Sequence, residues 1–346
     1  MSRCFPAWAA PTLRFFEKLD SAEHGIAGFD WFFGKVDAVN SGLSQPLVSI
    51  CIPAFNAAHQ LSDSLGSAMR QSYANLDILV FDNASTDGTE KVVRSLAEGD
   101  ARVRYLCQES NVGMVRNFTA CIEQARGQYV KFVCADDALE PGCVERMLNI
   151  MSAHPEVSLV GCARRLVGDN LQTARIARYS RRFLLTEGTA AIRRCFFLGN
   201  RIGEPTAVMF RRADAVRGFD DSYRQLVDLE MWFHLLKHGA FVFLPDPLCR
   251  IRQHAEQATL ENLKSGVVLN DKRRLFRAFF PDVGRRAWFQ EKVLWDARMA
   301  VTVYRTMNAG HAISLEEIGE VFFPRFFATL TYPVASRLWR LLSRNI

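Results

Sequence analysis

Among its 346 residues the chain has no run of 18 predominantly apolar residues, no Cys-x-x-Cys pair, no Gly-x-Gly-x-x-Gly and no Gly-x-x-x-x-Gly-Lys. The first absence removes the expectation of a membrane-spanning helix. The N-terminus also reads poorly as a secretory signal, because Pro6 and Pro11 interrupt its apolar run and Glu17 and Asp20 follow soon after. The nine cysteines are an odd number scattered from Cys4 to Cys249, which argues against a zinc site and against a secreted disulfide framework. A reducing cytoplasm is the compartment expected for such thiols. The two missing glycine motifs exclude the common dinucleotide fingerprint and the P-loop. No internal repeat and no low-complexity tract is present, so a solenoid or a disordered chain is excluded too.

What remains is an ordinary globular composition, 49% apolar and 23% charged. At roughly 150 residues per domain the length suggests about two domains. The net charge of +6 is unevenly placed. From Lys264 to Ile346 there are 14 Lys/Arg against 7 Asp/Glu, while the first 263 residues carry 29 against 30. A nucleic-acid-binding chain would carry its excess on the main domain, so no nucleic-acid partner is expected.

From Leu47 onward short apolar runs alternate with helical stripes. The runs are Leu47–Ile52, Leu76–Phe81, Val103–Cys107, Tyr129–Val133 and Val157–Val160. Between the first two, Leu61, Leu65 and Met69 recur every four residues. Between the third and fourth, Val115, Phe118, Thr119 and Ile122 share one face. This alternation predicts βαβ units and a parallel sheet, whose ligands bind at the carboxyl ends of the strands. The residues just after each run therefore matter most.

Those residues are carboxylates and an aromatic ring. Phe55 follows the first run and offers a face for stacking on a base. Asp82 follows the second, where a carboxylate can accept a base N–H, and Ser85-Thr86-Asp87-Gly88 reads as a turn that caps the next helix. Asn111-Val112-Gly113 and then Arg116-Asn117 follow the third. Cys134-Ala135-Asp136-Asp137 follows the fourth, and adjacent carboxylates there call for a cation, with Mg²⁺ or Mn²⁺ the natural bridge to phosphate oxygens.

In this order and spacing, the segments I-P-A-F-N, F-D-N-A-S-T-D-G-T, N-V-G…R-N…A-R-G-Q-Y and A-D-D resemble the family 2 glycosyltransferases with the GT-A fold. Gly218-Phe219-Asp220…Asp228-Leu229-Glu230-Met231-Trp232 is similar to the acceptor-side E-D-x-D-x-W region of that family, and Arg252-Gln253-His254 to its Y-R-x-H element. The resemblance covers residues 47–256. It implies an α/β, GT-A-type doubly wound, mostly parallel sheet flanked by helices. The expected organisation is an N-terminal extension (1–46), a GT-A domain (47–258) and a helical, basic C-terminal region (259–346).

The resemblance also implies roles. Pro53 and Phe55 would sit beside the nucleotide base, the alternative for Phe55 being a strand-end core residue. Asp82 would accept the base N–H, and Asn83 would be a turn residue. Arg116 would approach the nucleotide or its phosphates, or else start a helix in solvent. Asp136 would meet the metal or the diphosphate, with Asp137 and His254 as further metal candidates. Cys134 stands where the family often has a first Asp, and its loss removes a ribose contact. Asp228 would be the general base, with a helix N-cap as the bland alternative, and Val227 replaces the Glu before it. Glu204, Glu230 and Trp232 belong to the acceptor side. Glu230, His234 and His238 share a helix face, but H-E-x-x-H is absent and a zinc site there is not expected.

The implied activity is a metal-dependent, inverting transfer of a sugar from a nucleotide diphosphate sugar to a hydroxyl of a glycan or lipid-linked acceptor, as in cell-surface polysaccharide assembly. UDP is the default nucleotide, with dTDP and GDP as alternatives. Two other readings compete: a non-catalytic sugar-nucleotide-binding protein, and a nucleotidyltransferase, which would want a glycine-rich basic loop in place of Pro53–Asn56. Finally, Val321–Ile346 has no acidic residue and interleaves Arg325, Arg337, Arg340 and Arg344 with Phe, Leu and Trp339. Such a segment suits peripheral contact with an anionic membrane at its inner face, or else a helix packed on the domain.

Overall fold

The computed structural model describes residues 45–168, 172–253 and 267–280. Residues 1–44 of the N-terminal extension, His254 and the basic segment 321–346 lie outside the described residues. The chain opens with β1 (Val48–Ala54), α1 (Leu61–Met69), β2 (Leu76–Asp82), α2 (Thr89–Leu96), β3 (Val103–Cys107), α3 (Met114–Gln124) and β4 (Tyr129–Phe132). It continues with β5 (Ala138–Leu139), α4 (Cys143–Ala153), β6 (Val157–Val167), β7 (Thr173–Ala177), β8 (Leu184–Thr186) and α5 (Gly188–Leu198). The last described elements are β9 (Val208–Arg211), α6 (Val227–Leu236), β10 (Ala240–Arg252) and α7 (Val267–Phe279).

All five apolar runs are strands of one sheet, ordered β3-β2-β1-β4-β9-β6-β10-β5, with β7 beside β6 and β8 beside β10. β1 pairs in parallel with β2 and β4, β2 with β3, and β6 with β10. β9 runs antiparallel between β4 and β6 and joins the two parallel halves. The sheet is thus mostly parallel. The fifth run extends past Val160 to Val167, and Arg164, which breaks the apolar pattern, is buried there against Glu204 of the loop before β9.

β1 shows why a parallel strand reads as continuous hydrophobicity. Successive side chains point to opposite faces, and both faces are covered. Cys51 joins the core beneath α3, α5 and α6, while Val48, Ile50 and Ile52 join the core beneath α1 and α4. α7 completes the first of these layers. Its Leu275 is fully buried there, and Phe276 and Phe280 pack on Phe196 at 5.9 and 4.9 Å between ring centres.

The amino edge of the sheet is held by charge. Asp77 is buried, accepts from Ser49 Oγ at 2.6 Å, and takes two bonds from the Arg104 guanidinium at 2.6 and 3.0 Å. Burial alone would raise its carboxyl, but the bonds from Arg104 and Ser49 hold it below the ordinary Asp value. Asp77→Ala would leave the half-buried Arg104 guanidinium with only the Gln124 carbonyl and should destabilise the fold by about 1–3 kcal/mol. Because the native carboxyl is depressed, its contribution is present above the unfolded pKa of about 4 and is lost as pH falls below it. Chemical denaturation from pH 7 down to about pH 2 checks both: the advantage of the wild type over Asp77→Ala should shrink as pH falls from the unfolded value through the depressed native one.

Candidate active site

The opposite, carboxyl edge of the sheet gathers the expected site residues. The ends of β1 and β2 are in register, Ala54 beside Asp82, and the Val133 N–H bonds to Cys51 O, so Cys134–Asp137 emerges next to Pro53–Phe55. The loops after β1 and β2 are stitched together. The Asn56 N–H donates to Ser85 Oγ at 2.8 Å, the Thr86 N–H to Asn56 Oδ1 at 2.9 Å, and the Ala58 N–H to Asp87 Oδ2 at 3.1 Å. Asn56 (φ 48°) and Ala84 (φ 60°) both adopt left-handed backbone at this edge, a strain that the stitching maintains.

Phe55 is 49% exposed at the tip of this edge, so it is not the strand-end core residue that was its alternative. Asp82 is buried below it. Its Oδ1 accepts from the Ser85 N–H and hydroxyl, at 2.9 and 2.6 Å, and its Oδ2 accepts from Tyr105 OH at 2.7 Å. Asn83 is a turn residue: it donates to Asn111 Oδ1 and accepts the Val112 N–H, tying the loop after β2 to the start of α3. Asp87 supplies the cap of α2, since its Oδ1 takes the Thr89 N–H at 2.9 Å beside Gly88. Arg116 is exposed in the first turn of α3 and pairs with Asp221 at 3.0 Å.

Beside this edge opens a cavity of about 460 Å³. Asp136, Asp137, Glu204 and Asp228 line it together with Asn200 and Arg252. Four carboxylates thus face one space. Their mutual repulsion shows in Asp137, whose carboxyl is pushed upward by burial first and by Asp136 next. Asp228 is pushed up to about 7, by burial and then by the charge of Glu204. The Cys134 thiol, also on this wall, is raised by burial and by Asp137 and Asp136, so it stays neutral.

Asp137 and Asp136 separate in role. Asp137 is buried, its Oδ2 accepts from Thr206 Oγ1 at 2.5 Å, and its Oδ1 accepts the Arg252 N–H at 3.0 Å. It is a strut that joins the end of β4 to the end of β10. Each of its oxygens thus holds one bond from the protein while the residue also lines the cavity. Asp136 remains half-buried on the cavity wall. Among the described residues no three acidic, imidazole or thiol groups converge as a metal cage. One carboxylate facing a phosphate-sized space still fits Mg²⁺ or Mn²⁺, which bind through one or two carboxylates plus waters and substrate phosphates.

The loop from Asn200 to Thr206 brings these groups together. Glu204 pairs with the buried Arg164 at 2.5 Å, and Thr206 Oγ1 accepts the Cys134 N–H at 3.0 Å while donating to Asp137. Gly203 turns the loop at φ +121°, and a Cβ there would meet Arg164 at 2.9 Å and Ala207 at 3.0 Å. No other residue fits that position without strain.

Asp228 is the second residue of α6, not its N-cap, which is Leu226. Its Oδ2 accepts from Asn200 Nδ2 at 2.8 Å. A helix turns about 100° per residue, so Glu230 points away from Asp228 and Trp232 returns to the same side one turn on. Accordingly Glu230 is buried against Arg217, with bonds of 2.9 and 2.7 Å, and Trp232 is fully buried with its Nε1–H on Gly203 O at 2.9 Å. Neither lines the cavity: Glu230 is held in an ion pair with Arg217, and Trp232 supports the 203 turn. His234 and His238 stack edge to face at 5.3 Å, and burial pushes His234 down to about 4.

Two supports carry no sequence signal. One is Asn200. The other is Asp271 of α7, whose Oδ2 accepts the backbone N–H groups of Arg224, Gln225 and Leu226 at 3.1, 2.7 and 3.0 Å. Those residues lead into α6 and line the cavity. Since Leu226 has no side chain that can cap α6, Asp271 supplies from a distant helix the acceptor its N-terminal turn requires.

Comparison with known proteins bears on the same residues. The profile described as Glycosyl transferase family 2 matches residues 49–218. A Mycobacterium tuberculosis protein described only as uncharacterized is 32% identical over 243 residues, 67% of this chain and 75% of that relative. Among solved structures, S. aureus TarS 1-349 in complex with UDP-GlcNAc aligns with a TM-score of 0.53 at 15% identity, over 86% of this chain and 89% of that one. The mannosyltransferase PcManGT from Pyrobaculum calidifontis, in complex with GDP-Man and Mn2+, aligns with a TM-score of 0.53 at 16% identity, over 92% and 95%. At these identities the two structures speak to the fold alone.

Proposed function

Since the chain belongs to glycosyl transferase family 2, we propose that it moves one sugar from a nucleotide diphosphate sugar to a hydroxyl of a glycan or lipid-linked acceptor, with inversion. The observation that carries this reading is the placement of Asp136 and Asp228 on one cavity, next to the strand edge that presents Phe55. Phe55 is the stacking face for the base, and Asp82, buried with its oxygens engaged by Ser85 and Tyr105, holds the loop beside it. Because TarS was solved with UDP-GlcNAc and PcManGT with GDP-Man and Mn2+, the fold accommodates both nucleotides in other proteins. UDP is the default donor nucleotide here, with GDP and dTDP tested beside it.

The proposed step needs few groups. The acceptor hydroxyl oxygen attacks the anomeric carbon, the bond from that carbon to the diphosphate oxygen breaks on the opposite face, and the nucleoside diphosphate leaves. Asp228 takes the hydroxyl proton as the new bond forms. An ordinary carboxylate is a weak base, and elevation to about 7 brings Asp228 close to the working pH. A divalent cation held by Asp136 would offset charge on the departing diphosphate. A single attack with one base gives inverted stereochemistry. A nucleotidyltransferase reading falls with the family assignment. A non-catalytic reading leaves the raised, cavity-facing Asp228 without a purpose.

Thermal unfolding in the presence of UDP-, GDP- and dTDP-sugars with Mn²⁺ or Mg²⁺ tests the donor half. A ligand at 100 times its Kd stabilises by about 2.7 kcal/mol, which is a Tm rise on the order of 5–10 °C for a domain of this size. One nucleotide class should give that rise only with the cation. No rise with any of them would overturn the proposal.

A further inference from the structure

Asn200 follows Gly199, the residue that ends α5. Its side chain makes three bonds. Oδ1 accepts the Gly203 N–H at 2.9 Å, and Nδ2 donates to Gly203 O at 3.2 Å and to Asp228 Oδ2 at 2.8 Å. The amide cannot be reversed, because the Gly203 N–H can only donate and must face the oxygen. The nitrogen therefore faces Asp228. Gly203 O in turn accepts from the indole of Trp232, one helical turn beyond Asp228. The four residues form a closed ring, and within it Asn200 is the group that grips the carboxylate. We propose that Asn200 is the positioning residue of the base, holding the Asp228 carboxylate in one orientation on the cavity wall; this rests on Asp228 being the base.

The surroundings give the grip a sign. The charged groups that act most on Asp228 are Glu204, from the same loop as Asn200, and Arg164, from β6, while Asp136, Asp137, Arg224 and Arg252 line the same cavity. Glu204 and burial disfavour the ionised carboxylate, and Arg164 is itself committed to Glu204 at 2.5 Å. The amide is a neutral donor that bonds the ionised form more strongly than the protonated one. Asn200 thus favours the proton-accepting state while a second fixed group, the Leu229 N–H, meets Oδ1 at 2.7 Å.

Asn200→Asp separates positioning from architecture. Its first oxygen can still accept the Gly203 N–H, but its second sets a like charge against Asp228. Titration of the Asp228 carboxyl carbon by NMR, assigned through its loss in Asp228→Asn, needs no substrate. The midpoint in N200D should rise by more than about one pH unit, and in N200A by about one. With the donor that gives the largest thermal shift, kcat at pH 7 should fall about tenfold or more, recover as pH rises, and leave the donor KM unchanged. A midpoint within roughly 0.3 unit of wild type in both variants would overturn the proposal. If Asp228→Asn kept full turnover, the base assignment would fail, and that is a different result from an unmoved midpoint in N200D beside an inactive Asp228→Asn.

Discussion

Asp228→Asn should lower turnover by about 10³-fold at neutral pH while the nucleotide sugar binds as before. The amide is nearly isosteric, but its single oxygen can accept from only one of Asn200 Nδ2 and the Leu229 N–H, and it cannot take a proton. Loss should therefore fall on kcat rather than on donor affinity. The wild-type pH profile carries a matching signature. A base raised to about 7 must be ionised to act, so activity is present above that value and declines about tenfold per unit below it. The decline should be absent from the residual activity of the variant. Turnover of Asp228→Asn within a factor of ten of wild type would remove Asp228 from the chemistry.

Asp136→Asn has two expected effects of opposite sign. The stabilisation of the protein by donor plus Mn²⁺ should vanish and turnover should fall about 10³-fold, because the buried Asp137 is already committed to Thr206 and Arg252 and offers no replacement ligand. The ligand-free protein should nevertheless unfold at the same temperature or higher. Removing the Asp136 charge relieves the repulsion that pushes the Asp137 carboxyl up. Sites that bind cations commonly trade stability for function in this way. Differential scanning calorimetry with and without ligand reads both effects, and a donor-plus-cation shift that survives the substitution would reassign the metal position.

The strands were legible because a parallel sheet buried on both faces needs unbroken apolar runs, and five such runs stand out. The position of Asp136 followed from the rule that ligands gather at strand carboxyl ends, those of Asp228 and Glu204 from the family resemblance, and all three share a cavity. What misled was proximity along the chain. Glu230 and Trp232 stand two and four residues from Asp228, but helix rotation sends the first to Arg217 and buries the second under the 203 turn. Asp137 neighbours Asp136 in sequence, while its hydrogen bonds reach residues 69 and 115 positions away. Asn200 and Asp271 were invisible for the same reason. Their partners lie 28 and 45 or more residues distant, and an Asn after a glycine or an Asp in a helix looks like surface.

Order of synthesis gives the Asp271 contact a further meaning. The strands that carry Phe55, Asp82 and Asp136 are complete by residue 140, and the profile match ends at 218. The acceptor for the Leu226 N–H is made 45 residues after it. As the chain emerges from the ribosome, the wall that bears Asp228 is the last part of the cavity to be fastened. A fragment cut just after His254 would retain every recognisable catalytic motif and lose the carboxylate that anchors the turn entering α6.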